Sequence, residues 1–335
     1  MKKLATLILL ITIAAVVAAP AAAAPAPQKD WPAQLKFMAG PPGGNWFALG
    51  SAMADMWSKN TISVTSSTGG GVSNIINANG HKGDFGFSVT SLLGAAIKGE
   101  QDFMGRPAKN AAILANLYTQ YTYFIMRKDF AEKNKITKLG DIFEKKIPVK
   151  MATLKPGTSS EFVVKSLFVK GYGVTYNDIK KMGGSMEFAS YEGGADLIAD
   201  GHIDLFIFSV GRVASIVMNI ESKADIVCLP VDDGALKALS DAYGTVAFTI
   251  EPGIYKSVKK SVKTVGDYTC IVVRDNIPDS LAYDLCKALW ENKASLAKAV
   301  KDIDELTPQI AVPDGVPTQA GALKYWKELQ AKTKK

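Results

Sequence analysis

The chain has few of the side chains from which catalytic and metal sites are usually built. Only three of its 335 residues are cysteine and two are histidine. The histidines, His81 and His202, occupy matching positions in two similar segments and are interpreted as structural. No histidine then remains for a Ser-His-Asp triad, and no Cys/His spacing resembles a metal site. A pair of carboxylates is still possible, but no spacing indicates one. The sequence therefore favours binding without catalysis, and we expect no cofactor and no metal.

Cysteine is also too scarce for a disulfide framework. An odd number of cysteines cannot all pair within one chain. Cys228 lies in an apolar strand and is expected to be inert core. Cys270 and Cys286 either pair in an oxidising compartment or remain free.

Arginine is scarce too, with four residues in the whole chain. The formal charge of +7 comes from lysines that are scattered along the sequence. A nucleic-acid surface would cluster its basic residues on one element, so no nucleic-acid partner is expected.

Long apolar runs are absent beyond the N-terminus. Residues 1–23 have the features of a signal peptide, with Lys2 and Lys3 ahead of a short apolar stretch and small residues around a cleavage site near Ala23. The alternative is a membrane anchor, for which the apolar stretch is short. Residues 24–30 are interpreted as a flexible Ala/Pro tether. The predicted location is the periplasm.

The most informative pattern that is present is a repeat, residues 70–89 and 193–210. Each copy has Gly-Gly, a short helix, Gly-His and an apolar strand that ends in Phe-Ser-Val. A separation of about 120 residues is too long for a solenoid. It suits one αβ unit built twice, once in each of two lobes, with the ligand in the cleft between strand ends.

The order of elements predicts an α/β protein with two lobes. Strands and helices alternate, which favours mainly parallel sheets flanked by helices. Two β-rich runs of similar length, residues 121–127 and 269–274, are interpreted as hinge strands that cross between the lobes. Lobe 1 is predicted over residues 31–122, with residues 269–335 returning to brace it, and lobe 2 over residues 123–268.

Three Gly-rich loops between a strand and a helix are the first candidate ligand contacts. A helix start presents unpaired N–H groups and a partial positive charge, and glycine lets a ligand approach. Three such loops favour an anionic ligand. The alternatives are a capping box of Thr158 with Glu161, a simple tight turn at Thr68, and core packing for Trp46. The predicted contacts here are Gly44, Asn45, Trp46, Thr68, Gly70, Gly71, Val72, Gly157, Thr158 and Ser159.

The loops that follow the two repeated strands supply the remaining candidates, which are Thr90, Ser91, Ser209 and Arg212. A guanidinium can hold a carboxylate through two parallel hydrogen bonds. For Arg212 the alternative is a salt bridge to an acidic residue of the chain.

These motifs together resemble the substrate-binding proteins of TRAP transporters of the TAXI type. The resemblance runs over nearly the whole chain after the leader and depends on five motifs in order, at residues 43–50, 68–74, 156–161, 200–204 and 321–325. Two departures change the presumed pocket. Val89-Thr90-Ser91 stands where members often have Gln-Ser-Asp, and Trp46 stands where they have tyrosine.

The resemblance implies a two-lobed, type II-like periplasmic binding protein, and we expect it to be a monomer. It would close on a carboxylate, dicarboxylate, keto acid or acidic amino acid and deliver it to the TRAP membrane permease subunits. Two alternatives are a binding subunit that feeds a sensor kinase and, with less support, an exported enzyme. The sequence leaves the identity of the ligand open.

Overall fold

A computed structural model describes residues 28–333 of the chain. The predicted signal peptide and residues 24–27 of the predicted tether lie outside this range. Residues 28–30 of the tether form a turn, and the indole N–H of Trp31 then donates to Ser280 Oγ at 2.8 Å. No helix within the described range is long and apolar enough to cross a membrane.

Ten strands form one mixed sheet. They are β1 (Gln34–Met38), β2 (Ser63–Ser67), β3 (Phe85–Val89), β4 (Ala111–Arg127), β5 (Lys150–Leu154), β6 (Ser185–Ala189), β7 (Leu205–Gly211), β8 (Ile226–Cys228), β9 (Val246–Ile250) and β10 (Val262–Arg274). The main path is β2-β1-β3-β10-β4-β7-β5-β6, with β8 on β4 and β9 on β10. The three strands at each end pair in parallel, whereas β10 and β4 are antiparallel to each other and to their neighbours β3 and β7.

Thirteen helices within the described range flank the sheet. They are α1 (Asn45–Asn60), α2 (Gly71–Asn79), α3 (Thr90–Lys98), α4 (Lys128–Asn134), α5 (Gly140–Glu144), α6 (Ser159–Tyr172), α7 (Tyr176–Lys181), α8 (Tyr191–Ala199), α9 (Ser215–Lys223), α10 (Asp233–Tyr243), α11 (Asp279–Glu291), α12 (Lys293–Leu296) and α13 (Ala320–Thr333). The chain is interrupted between α11 and α12 at Asn292, whose ψ of 9° leaves the helical range.

The sequence repeat forms the same unit twice. The first copy is α2 followed by β3, and the second is α8 followed by β7. His81 and His202 lie in the turns that precede the two strands, at the end of each strand away from the following helix. We refer to β1–β3 with α1–α3 as lobe 1 and to β5–β7 with α6–α9 as lobe 2. The fold class predicted from the sequence, α/β with two lobes of mainly parallel strands, is confirmed.

The two crossing strands are longer than their sequence pattern indicated. β4 pairs with β10 from Ala111 to Tyr121 and with β7 from Gln120 to Met126. β10 pairs with β9 over its first five residues and with β3 from Thr269 onward. The lobe boundaries predicted at residues 122/123 and 268/269 therefore fall inside continuous strands. Nearly all of β4 is buried, so the alternating pattern of a half-buried strand is missing from its first half.

The C-terminal helices pack against lobe 1. Trp57 of α1 and Trp326 of α13 are fully buried, and their indole N–H groups donate to the carbonyls of Leu285 and Leu114, each at 3.0 Å. Burying an aromatic side chain of this size with its polar atom satisfied is strongly stabilising. Cys270 and Cys286 are buried and free, so the disulfide that the sequence left possible is not formed.

Candidate functional site

Three helix starts meet around a small cavity between the lobes. α1 and α2 approach it from lobe 1, α6 approaches it from lobe 2, and the crossing strand β4 passes behind. The cavity has a volume of about 20 Å³, which is room for roughly one water-sized group. Its lining residues are Pro41, Gly44, Asn45, Trp46, Gly70, Gly71, Gln120, Leu154, Thr158, Ser159, Ser160, Tyr191, Ser209, Val210 and Gly211.

Backbone N–H groups without a partner converge on this cavity. The first N–H groups of a helix have no acceptor within the helix and need one from elsewhere. Among residues 28–333, no atom accepts from the N–H groups of Asn45, Trp46, Gly71, Ser159 or Ser160, all of which line the cavity. Buried donors of this kind are costly unless a ligand or water accepts from them. The cavity is therefore built to receive an acceptor, and the three aligned helix starts favour a negative one.

Two side chains add polar groups to the same wall. Gln120 of β4 and Ser159 of α6 are each only 4% exposed and face the cavity. Neither side chain forms a hydrogen bond with another residue of the described range. Both side chains are therefore available to pair with a ligand or with water in the cavity.

The other polar side chains of the wall are held by the protein itself. The hydroxyl of Tyr191 donates to the carbonyl of Ser209 at 3.0 Å, and Ser160 Oγ accepts from Ser209 N–H at 2.9 Å. The Trp46 indole N–H donates to Thr269 Oγ1 of the crossing strand β10 at 3.1 Å. These bonds fix the wall that carries the unpaired donors.

Main-chain contacts close the cavity from outside. The N–H groups of Val72 and Ser73 both donate to the carbonyl of Gly157 across the cleft, each at 3.2 Å. A Cβ atom on Gly70 would lie 2.6 Å from that carbonyl oxygen, and one on Gly44 would lie 2.8 Å from the Tyr191 ring. Glycine is required at Gly70 and Gly44 because the lobes approach each other this closely. The structure is thus a closed form.

A carboxylate from the C-terminal segment reaches the edge of the site. Asp302 Oδ2 accepts from Asn45 Nδ2 at 2.9 Å and lies against Gly211, where a Cβ would come within 1.9 Å of it. Burial, with the nearby charge of Glu305, raises the pKa of Asp302 to about 6. Sequence reasoning missed this residue because the irregular segment around it carries no motif.

The structure brings together most of the residues predicted from the sequence. Gly44, Asn45, Trp46, Gly70, Gly71, Thr158, Ser159 and Ser209 line the cavity. Thr68 and Gly157 line a wider, more open chamber of about 400 Å³ next to it, which we call the vestibule. Val72 contributes its N–H group to the closing contact. Of the capping box expected at the start of α6, Thr158 Oγ1 does accept from Glu161 N–H, at 3.3 Å.

Three predicted contacts lie away from the cavity. Thr90 Oγ1 donates to Asn116 Oδ1 at 2.8 Å, and the Ser91 hydroxyl donates to the buried carboxylate of Asp267. Both hydroxyls are held by neighbouring strands, because α3 starts beside the crossing strands rather than opposite lobe 2. Arg212 is exposed, and its carbonyl accepts from the hydroxyls of Tyr123 and Tyr255 at 2.8 and 3.1 Å.

Gln120 and Tyr191 are cavity residues that sequence reasoning missed. A signal for Tyr191 was present, because it begins α8, the helix that corresponds to α2 in the repeat. Gln120 had no comparable signal. Within residues 28–333, no group of three or more His, Cys, Asp or Glu side chains could hold a metal ion.

The fold and this cleft place the protein in a known structural class. The structure is similar to MatC from Rhodopseudomonas palustris, solved with bound malate, with a TM-score of 0.52 and 15% identity over 90% of this chain and 98% of that one. It is also similar to the periplasmic binding protein BugD, with a TM-score of 0.51 and 13% identity over 91% of this chain and 95% of that one. The fold is that of two-lobed periplasmic binding proteins.

The sequence itself gives the family. A family model matches residues 37–329, which is most of the chain, and the chain belongs to the NMT1-like family. No curated protein shows significant sequence similarity to it.

Proposed function

We propose that this protein is a periplasmic solute receptor that captures a small organic anion by closure of its two lobes. The unpaired N–H groups of α1, α2 and α6 carry the proposal. An oxyanion can accept from several of them at once, and each helix start adds a partial positive charge. A neutral ligand could accept from the same N–H groups but would not gain from the partial positive charges at the helix starts.

A carboxylate fits this arrangement best. It is a planar oxyanion that can accept from donors on different elements, and one of its oxygens matches the size of the cavity. The Gln120 amide supplies a further donor. MatC, which shares the fold, was solved with malate. Dicarboxylates, keto acids and acidic amino acids all present such a group.

The site supports binding rather than catalysis. The Ser209 hydroxyl is hydrogen-bonded to Thr122 Oγ1 at 2.9 Å, and neither described histidine lies in the cleft. No histidine is therefore placed to activate this serine as a nucleophile.

We further propose that the receptor delivers its ligand to a membrane permease. The five ordered motifs resemble TAXI receptors, and the interlobe contacts at Gly70 and Gly157 give the closed form a shape that a permease can distinguish. Reconstituted uptake with TRAP permease subunits would test this step. Uptake that does not depend on the receptor would contradict it.

Native mass spectrometry of the purified protein, followed by calorimetry with carboxylates and neutral sugars, tests the ligand class. Binding tighter than micromolar should raise stability by about 2–4 kcal/mol at a ligand concentration roughly 30- to 1,000-fold above Kd. Stabilisation by sugars alone would contradict anion recognition.

A further inference from the structure

The vestibule is larger and more open than the cavity beside it. Its walls are mostly apolar and are formed by Pro41, Pro42, Leu154, Pro156 and Ala189. Apolar walls next to a few convergent polar groups are typical of small-molecule sites, in which the polar groups fix the orientation of an apolar ligand body. Proline holds its part of the wall with little conformational freedom to lose.

The cavity and the vestibule adjoin each other. Both are lined by Pro41, Gly70, Leu154 and Thr158. Only main-chain atoms and small side chains separate them, since the partition is the contact of Gly70 and α2 with the carbonyl of Gly157. A group that emerges from the cavity past this contact enters the vestibule.

The cavity and the vestibule suit different parts of a ligand because their volumes differ. The cavity, at about 20 Å³, has room for one oxygen of a carboxylate. The vestibule, at about 400 Å³, has room for a chain or a ring. No acidic side chain lines the vestibule, and its one cation, Lys155, is exposed to water and so is a weak partner for a second charge.

We infer that the ligand is a monocarboxylate with an apolar chain or ring, whose carboxylate enters the cavity and whose apolar part lies in the vestibule. This inference rests on the proposed function and narrows the substrate class from organic anions in general. Short dicarboxylates, which carry charge at both ends, would gain less from the proline-lined wall.

A matched ligand series measured by calorimetry at constant ionic strength tests it. The series is acetate, butyrate, hexanoate, adipate and hexanamide. Burial of one methylene is worth a factor of about four in affinity, and hexanoate has four more methylenes than acetate. With these methylenes partly to almost fully buried, we expect hexanoate to bind about 10- to 200-fold tighter than acetate. Adipate should bind more weakly than hexanoate.

A pair of variants tests whether the apolar part of the ligand binds in the vestibule. Ala189→Asp places a charge on the vestibule wall and should weaken hexanoate binding at least tenfold while acetate binding stays within twofold. Ala294→Asp, at an exposed position of α12 that lines neither the cavity nor the vestibule, is the matched control and should change neither. Thermal unfolding of both variants shows that they fold.

The outcomes separate the two proposals. If no carboxylate binds, or if hexanamide binds as well as hexanoate, the proposed function fails. If acetate and hexanoate bind equally, the function stands and the apolar subsite is overturned. If adipate binds more tightly than hexanoate and Lys155→Ala removes that advantage, the ligand is a dicarboxylate and the inference is wrong.

Discussion

The substitution Gly70→Ala acts on the contact that closes the two lobes. Gly70 has an extended backbone, with φ −165° and ψ 153°, which any residue can adopt. Its added Cβ would meet only backbone atoms of the opposite lobe, with Gly157 O at 2.6 Å where ordinary contact begins at 3.4 Å. The open form should therefore accept alanine without strain, and the closed form should not.

The cost can be estimated from the contacts that are lost. Moving the lobes apart enough to relieve the overlap lengthens the two bonds from Val72 and Ser73 to Gly157 O, each at 3.2 Å. At about 0.5–1.5 kcal/mol each, the closed form loses about 1–3 kcal/mol. If binding requires closure, affinity falls about 5- to 150-fold, because the ligand must now also drive the closure.

Calorimetry with the ligand recovered by native mass spectrometry would measure this loss. Small-angle scattering should show a larger radius of gyration for ligand-saturated Gly70→Ala than for the unmodified protein. Gly234→Ala is the matched control, because Gly234 lies in α10 with no atom within 4 Å of a new Cβ. It should leave binding unchanged. Equal affinity and equal compaction in Gly70→Ala would refute the role given to this contact.

Three further predictions concern side chains around the cleft. Gln120→Leu removes the unpaired amide and should weaken ligand binding by about 1–3 kcal/mol in calorimetry; unchanged affinity would mean that the amide does not contact the ligand. Arg212→Ala should change binding by less than about 1 kcal/mol because the side chain is exposed, and a loss above tenfold would show that it turns toward the ligand. Asp302 has a pKa of about 6 in the folded protein and an ordinary value of 3.8, so the folded state holds the proton more tightly. Stability should then fall as pH rises from about 4 to above 6, by at most about 3 kcal/mol, and chemical denaturation of Asp302→Asn should lack this loss.

The positions of the helix starts could be predicted because glycine and hydroxyl residues follow apolar strands at regular places. Parallel strands end at a common edge of the sheet, so the loops at Gly44, Gly70 and Thr158 had to lie near one another. The repeat also predicted that α2 and α8 belong to equivalent units, one in each lobe. These inferences needed only local sequence and the rules of α/β connection.

The parts that could not be predicted depend on long-range pairing. Gln120 lies in a strand whose first half is apolar without alternation. The sequence therefore shows neither which residues pair with Gln120 nor on which side of the sheet its side chain lies. Asp302 reaches Asn45 from 257 positions away, in a segment with no regular pattern. Arg212 was predicted as a ligand contact because arginine is rare in the chain. Its side chain is exposed because the end of β7 is held by the hydroxyls of Tyr123 and Tyr255, which donate to the Arg212 carbonyl.

The start of each helix at the cleft also shows how closure and recognition are linked. A Ser, Thr, Asp or Asn cap typically stabilises a helix by about 1 kcal/mol, yet α1 and α2 begin after Gly44 and Gly70 with no side-chain cap. In α2 the carbonyl of Gly157 from the other lobe replaces the cap, but only when the cleft is closed. In lobe 2, Thr158 caps α6 at its third N–H and leaves the first two free. α2 thus gains two of its missing acceptors only on closure, and the N–H groups that stay unpaired at the starts of α1, α2 and α6 belong to residues that line the cavity. A ligand that supplies the remaining acceptor therefore favours the closed form over the open one.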